Sequence, residues 1–268
     1  MKNLILSLFI AGSVAANAQG PIDGFFKSKG ELDIALSGSF ATSEDYFTRN
    51  GKVTIPRDQT IIGFFASYGL SDRWNLVASI PVINFQLQDA AFYVKYKWIF
   101  KGTAKGEFSL FPALGVSFPL SNYDFQTSQA IGQKAVTVQP KMVSQFKSSK
   151  GWFIQGQTGY NYAFDPVPSA FVASVKLGYI YKKWYFDAWF DLQYGIGGKD
   201  YASFNAVPLN SFRELGISHQ RIGGVVYRTL NNRFGIQLNG SYVLSGRNAS
   251  QMLSVGAGVV IKMNTHKK

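Results

Sequence analysis

The chain has 268 residues, of which 46% are hydrophobic, 16% aromatic and only 16% charged, compared with about 25% charged residues in average soluble domains. It contains no cysteine, which excludes disulfide bonds, thiol catalysis and lipid attachment at a leader cysteine. The formal net charge of +12 suits nucleic acid or an anionic surface. The basic residues are scattered along the chain, so we expect anionic lipid headgroups as neighbours and no nucleic acid.

The first 18 residues have the pattern of a secretory signal peptide. Lys2 precedes an apolar run from Leu4 to Ala11, and Ala16-Asn17-Ala18 is a small-x-small cleavage site. The alternative is an uncleaved anchor, but the run is shorter than the ~20 residues of a spanning helix. No later stretch has the length and hydropathy of such a helix. The mature chain, 19–268, is therefore expected to enter a membrane only as strands.

Twelve segments of alternating apolar and polar residues follow the signal. The clearest is 89–99, where Phe92, Val94 and Trp98 share one phase and Lys95 and Lys97 share the other. The tenth segment has no clean phase and is placed by its spacing. The segments are 31–40, 60–70, 74–84, 89–99, 106–118, 135–147, 151–164, 169–181, 184–195, 214–228, 233–244 and 252–263.

The connections between these segments form two classes. Those after odd-numbered segments are long or irregular, whereas the five after even-numbered segments are all tight. Short turns at one rim, longer loops at the other and an even number of ~10-residue alternating segments are typical of outer-membrane barrels. The longer connections are 41–59, 85–88, 119–134, 165–168, 196–213 and 245–251, and the tight ones are 71–73, 100–105, 148–150, 182–183 and 229–232.

Aromatic residues beside the short turns indicate which face of the strands meets lipid. Trp74, Trp98, Trp152 and Trp184 each adjoin a short turn on the apolar phase of their strand, and Phe234 adjoins the last one. Indole favours the boundary between hydrocarbon and headgroups. We therefore predict an interfacial aromatic belt, with the apolar phase outside. The alternative is a secreted sandwich or ligand-binding barrel with the apolar phase inside, because alternation alone does not distinguish the two faces.

The polar phase then faces the lumen of an all-β, antiparallel up-and-down barrel of about twelve transmembrane strands. Lys176 is expected to pair with Asp187 and Asp191 on the next strand, and Lys262 to approach Glu31 and Asp33. Such residues either brace the lumen or line a conduit, and Lys95, Lys97 and Lys141 bias a conduit toward anions. The predicted lumen residues are Tyr93, Lys95, Lys97, Gln139, Lys141, Gln155, Gln157, Lys176, Asp187, Asp191, Gln237 and Asn239.

Two stretches resemble the bacterial outer-membrane family named for the meta pathway of phenol degradation. These are "YGLSDRWNLVASIPV" (68–82) and "ALGVSFPLSNYDF" (113–125). The resemblance implies a porin-like β-barrel for hydrophobic or aromatic compounds. The chain departs from the family in its short 85–88 connection and in its ending, "VVIKMNTHKK", which lacks a terminal aromatic residue.

Three functions remain open from the sequence. The first is a monomeric outer-membrane channel or transporter of a Gram-negative cell, passing small hydrophobic or aromatic solutes by diffusion. The second is a plugged structural or surface-binding barrel that acts through its outer loops, of which 41–59 and 196–213 are the candidates. The third is an outer-membrane hydrolase. We expect no catalytic residue, because His219 and Ser218 are adjacent and so point to opposite faces of a strand. No metal site or cofactor is expected.

Overall fold

A computed structural model describes residues 22–126, 129–201 and 211–265, so the predicted signal peptide lies outside the described residues. Within these ranges, no helix has the length and hydropathy needed to cross a membrane. One 3-10 turn covers Phe212–Glu214. The strands are β1 (Glu31–Thr48), β2 (Gly51–Gly69), β3 (Trp74–Ile83), β4 (Gln86–Leu87), β5 (Asp89–Tyr96), β6 (Ile99–Thr103), β7 (Gly106–Pro119), β8 (Thr137–Ser148), β9 (Trp152–Ala163), β10 (Ala170–Tyr181), β11 (Trp184–Gly195), β12 (Ser218–Thr229), β13 (Phe234–Arg247), β14 (Ala249–Ser250) and β15 (Leu253–Asn264).

The strands form one closed antiparallel barrel, as the sequence predicts. It has twelve strand positions around its circumference, which we call staves. Each long strand pairs with the next along the chain, and β1 also pairs with β15, from Glu31 opposite Asn264 to Thr42 opposite Leu253. Strands β5 and β6 together form a single stave, interrupted at residues 97–98, and both pair with β7. The short β4 and β14 are attached to β3 and β1. The pairing of β1 with β15 leaves no free sheet edge.

The apolar phase of the strands lies on the outside of the barrel. Leu114 and Leu238 are 57% and 59% exposed, whereas the polar-phase residues Lys95 and Gln139 are fully buried. This is the reverse of a water-soluble domain, in which lysine and glutamine are rarely buried. The alternative of a soluble sandwich or barrel with its apolar phase inside is therefore wrong.

The residues of the predicted aromatic belt are all exposed on this outer surface. Trp74, Trp98, Trp152, Trp184 and Phe234 have between 37% and 59% of their surface accessible. Trp74, Trp152, Trp184 and Phe234 lie at the short-turn end of their staves. Trp98 instead lies at the interruption between β5 and β6, because the connection predicted at 100–105 is wrong in its bounds: β6 continues to Thr103. Their location at a lipid headgroup boundary stays a prediction.

The connection predicted at 41–59 is wrong as a loop. Strands β1 and β2 continue through this region as a long hairpin, and only Arg49 and Asn50 form its turn. The hydrophobic alternation fades beyond residue 40, where the adjacent residues Tyr46 and Phe47 are both buried. Hydrophobic periodicity alone therefore ends these strands too early. The tenth segment likewise begins at Ser218 instead of 214, since Glu214 belongs to the 3-10 turn.

Because the apolar phase faces outward, we predict that a charged residue on it destabilises the barrel more in the middle of a strand than near the rim. Leu114 lies in the middle of β7, and Leu230 lies in the turn after β12. Leu114→Arg should lower the free energy of unfolding in lipid vesicles by about 2–4 kcal/mol, whereas the matched control Leu230→Arg, near the rim, should lower it by about 0–1 kcal/mol. Denaturant titration measures both values. Equal, small losses for the two variants would contradict the assignment of this face to lipid.

Candidate functional site

The residues just before β1 fold back into the barrel, and we call residues 22–29 the N-terminal segment. Ile22 is only 3% exposed. Its backbone N–H donates to Gln157 Oε1 at 2.9 Å, and its carbonyl accepts from Gln155 Nε2 at 2.6 Å. The N–H of Gly24 donates to Gln155 Oε1 at 2.8 Å. Side chains of β9 thus provide the hydrogen-bond partners that a neighbouring strand would otherwise supply.

Lys95 on β5 holds the N-terminal segment from the other side. Its Nζ donates to the carbonyls of Asp23 at 2.7 Å and Phe25 at 2.8 Å. The ammonium also lies 4.9 Å from the ring centroid of Phe26. Lys95 is fully buried, so these contacts replace the water that its charge would otherwise require.

The apolar side chains of the N-terminal segment fill the lumen between the walls. Phe25 packs edge-on against Phe153 with centroids 5.2 Å apart, and Phe26 packs in the same manner against Phe111 at 4.8 Å. Ile22 joins a buried cluster with residues of β3, β5 and β7. Phe111 and Phe153 point inward on the otherwise polar phase and are almost completely buried. The segment therefore plugs the short-turn half of the barrel.

The N-terminal segment fits this space closely. A Cβ atom on Gly24 would overlap the side-chain ends of Gln145 and Gln155, so a larger side chain there requires these glutamines or the segment to move. At the rim, the N–H of Lys27 donates to Asn75 Oδ1 at 2.6 Å, and Asn75 Nδ2 donates back to the Lys27 carbonyl at 3.0 Å. Lys27 Nζ also forms an ion pair with Asp33.

The predicted ion pairs are present only in part. Lys176 lies opposite Trp189 and pairs with Asp187 at 3.4 Å. Asp191 instead accepts from Arg221 Nη2 at 2.7 Å. The predicted approach of Lys262 to Glu31 and Asp33 does not produce an ion pair. Lys262 lies opposite Asp33 in register, but Asp33 pairs with Lys27 of the N-terminal segment, whose position the strand pattern does not reveal.

The other predicted lumen residues are buried or half-buried, and several contact one another. Tyr93 donates its hydroxyl to Gln139, and Lys141 Nζ lies 3.1 Å from the same hydroxyl. Lys97 Nζ is 5.0 Å from the ring centroid of Phe26. Gln237 and Asn239 are half-buried on β13. The lysines expected to attract anions therefore also contact protein groups, and their part in a conduit stays a prediction.

A cavity of about 310 Å³ lies inside the barrel at the long-loop rim, and we call it the outer chamber. Residues of the 120–136 connection, from Ala130 to Gln133, line it on the loop side together with Phe212 and Leu215. Gln88 Nε2 donates to the Ile131 carbonyl, and Gln133 Nε2 donates to the Leu215 carbonyl at 2.9 Å. The two long connections thus hold each other over the lumen.

The barrel wall of the outer chamber combines charged and polar side chains. Arg57, Arg221, Asn161 and His219 line it. Arg221 is 5% exposed, and its guanidinium lies 4.9 Å from the ring centroid of Trp189. Of these residues, only His219 stands out in the sequence, because Asn161 is one of many polar-phase residues and Arg221 lies in the segment without a clean phase.

Arg247 holds the described part of the predicted 196–213 loop to the barrel. Its Nη1 and Nη2 donate to the carbonyls of Gly197 at 2.9 Å and Gly198 at 2.8 Å. Its Nε donates to Asp200, and this hydrogen bond holds the pKa of the Asp200 carboxyl below its usual range. Residues 202–210 of the loop lie outside the described residues.

Solved structures similar to this chain are outer-membrane channels and porins. An outer membrane channel from Pseudomonas putida F1 has a TM-score of 0.70 at 11% identity, covering 91% of this chain and 100% of that one. The NanC porin has a TM-score of 0.58 at 13% identity, covering 87% and 100% of the two chains. The KdgM porin has a TM-score of 0.50 at 8% identity, covering 87% and 99%.

These likenesses, at 8–13% identity, show the fold alone, a porin-like barrel. No family model and no curated protein matches the chain. The residues of the N-terminal segment and the outer chamber are therefore assigned roles only from their own contacts.

The contacts of Lys95 predict that it keeps the N-terminal segment in the lumen. Because the chain has no cysteine, Asp23→Cys provides a single reporter on this segment. Adding Lys95→Met should increase the rate of maleimide labelling at position 23 roughly tenfold or more, since hydrogen bonds from a charged group are worth about 1.5–3 kcal/mol.

The matched control for this experiment is Lys97→Met, which removes a lysine that contacts the segment through the ring of Phe26. It should change the labelling rate far less. Equal labelling rates with and without Lys95 would show that its two hydrogen bonds do not hold the segment.

Proposed function

We propose that this protein is a passive outer-membrane channel or transporter for small hydrophobic or aromatic molecules. The observation that carries the proposal is a closed barrel with an apolar exterior, a polar interior and a chamber inside it. The similarity to outer-membrane channels and porins supports a channel role. Membrane lipids would be its neighbours, and closure within one chain is compatible with a monomer.

The choice of hydrophobic or aromatic solutes has two supports. The first is the resemblance of residues 68–82 and 113–125 to the phenol meta-pathway family, whose membership remains part of this proposal. The second is the presence of Phe111 and Phe153 on the inner face, where they contact rings of the N-terminal segment. When the segment leaves, these rings would become an apolar surface along the path of a solute.

Passage requires the N-terminal segment to move. Its contacts reach from Asn75 on β3 through Lys95 on β5 to Gln155 on β9. A solute would enter the outer chamber first and reach the periplasmic side only after these contacts open. The proposed channel is therefore closed in the described conformation and opens by displacement of its own N-terminal segment.

The same segment favours the second candidate, a plugged barrel that acts through its outer loops. In this case the segment would stay in place, and the Arg247 contacts would serve to shape a surface for binding. A hydrolase has less support: His219 lines the outer chamber, and a neighbouring serine on the same strand points to the opposite face.

Liposome swelling distinguishes these candidates. We expect slow uptake of small solutes by the wild-type protein and much faster uptake by Lys95→Met and by Gly24→Leu, which loosen the N-terminal segment by independent means. If all three proteins fold correctly but none admits solute into the liposomes, the protein is a plugged barrel and not a channel.

Planar-bilayer recording tests the charge of the conduit. We expect small channels with a slight preference for anions, because Lys95, Lys97 and Lys141 all lie on the inner phase. Strong cation selectivity would contradict their assignment to the lumen.

A further inference from the structure

Buried polar atoms without partners are concentrated on the wall of the outer chamber. Within the described residues, six of the eight buried side-chain atoms that lack a hydrogen-bond partner belong to chamber-lining residues. They are Asn161 Oδ1, Asn161 Nδ2, Arg221 Nε, Gln88 Oε1, Ser250 Oγ and Ser254 Oγ. Such atoms are rare in folded proteins and costly unless water or a ligand satisfies them. Their concentration in one cavity indicates a binding site.

Asn161 is the most informative member of this group. It is 3% exposed, and neither end of its amide has a partner among the described residues. A leucine of similar size would avoid this unfavourable burial. An amide kept at this position at a cost in stability is typical of residues that serve binding.

The charges of the outer chamber favour an anion. The carboxylate of Asp191 binds Arg221 through Nη2, which leaves the Nε–H of Arg221 as a donor without a partner. Arg57 also lines the chamber, and within the described residues no carboxylate lies within ion-pair distance of it. Among the described residues that line the chamber, Asp89 is the one acid, and its carboxylate accepts a hydrogen bond from Tyr123 at 2.6 Å.

The opposite side of the outer chamber carries an apolar cluster, with Arg57 and Gln59 further along β2 on the same wall. Ala41, Ile61 and Ile83 form a buried cluster on β1, β2 and β3, and Ile131 and Met252 pack against it. These strands lie across the lumen from β9 and β12, which carry Asn161 and Arg221. The volume of about 310 Å³ is at the lower end of the range for small-molecule sites. A ligand that fits both sides has a charged end and an apolar body about the size of one ring.

We infer that the outer chamber binds a small organic carboxylate, with its oxygens at Arg221 Nε and Asn161 Nδ2 and its apolar body against Ile61 and Ile83. Arg57 supplies positive charge near the loop side of the chamber. This inference rests on the proposed channel function and narrows its substrate class to apolar molecules that carry a carboxylate. The outer chamber then acts as the first binding stage, before the N-terminal segment is displaced.

Calorimetric titration of the detergent-solubilised full protein tests the site with benzoate, benzamide and benzylammonium as probes of similar shape. We expect benzoate to bind at least tenfold more tightly than benzamide, and benzylammonium not to bind. Equal binding of benzoate and benzamide would overturn the carboxylate assignment. Absence of benzoate binding would overturn the site.

Asn161→Leu separates a binding role from a structural one. We expect it to weaken benzoate binding at least tenfold while the unfolding temperature stays the same or rises, because an unpartnered buried amide is removed. The matched control is Ser39→Ala. It also removes a buried polar group without a partner, here a hydroxyl, but outside the chamber lining. It should leave benzoate affinity unchanged. Wild-type affinity in Asn161→Leu, or an equal loss in Ser39→Ala, would contradict the inference.

The swelling and titration experiments together distinguish an error in the carboxylate site from an error in the channel function. If Lys95→Met conducts small solutes but benzoate does not bind, the binding site in the outer chamber is wrong and the channel function stands. If benzoate binds in the manner expected but no variant conducts, the chamber is a receptor site in a plugged barrel and the channel function is wrong.

Discussion

Pairing of β1 with β15 is the interaction on which the rest of the molecule depends. Backbone N–H and C=O groups in hydrocarbon have no water to bind, so a sheet is stable there only when it has no edge. Twelve consecutive residue pairs between these two strands remove that edge. Closure also gives every strand an outer and an inner face. Most of the large apolar residues point outward and the buried lysines, glutamines and asparagines point inward, with Phe111 and Phe153 as inward-facing exceptions. The polar lumen is a consequence of closure.

A polar lumen of this kind needs partners for its own side chains, and the N-terminal segment provides them. Gln155, Gln157 and Lys95 bind backbone groups of the segment, while Phe25 and Phe26 enter spaces between inward-facing rings. Toward the long-loop rim no such segment is present among the described residues, and there the polar atoms line a cavity. The lumen is thus filled at one end and hollow at the other. For this reason we propose the filled end, at the short turns, as a gate and the hollow end, at the long loops, as a binding site.

The sequence predicts the staves well wherever they are half-buried. Segment 184–195 coincides with β11, and the register of Lys176 opposite Trp189 follows from its two-residue turn. Prediction from the sequence fails where hydrophobic alternation carries no information. The hairpin of β1 and β2 beyond residue 40 lacks a clean alternation, since the adjacent Tyr46 and Phe47 are both buried, and residues 22–29 have no regular structure and therefore no period. Their partners are distant in the chain, since Ile22 binds Gln157, and only the closed barrel brings them together. The outer chamber is beyond sequence reasoning for the same reason, because an unpartnered atom such as Asn161 Nδ2 can be recognised only when its surroundings are known.

If the apolar phase faces acyl chains and the polar phase is enclosed, quenching by lipid will differ sharply between the two phases. Single cysteines at Leu238 and Gln139, each labelled with a small fluorophore, would be measured in bilayers whose acyl chains carry bromine. We expect strong quenching at position 238 and little at position 139. The reverse order, or equal quenching at both positions, would contradict this orientation of the two phases.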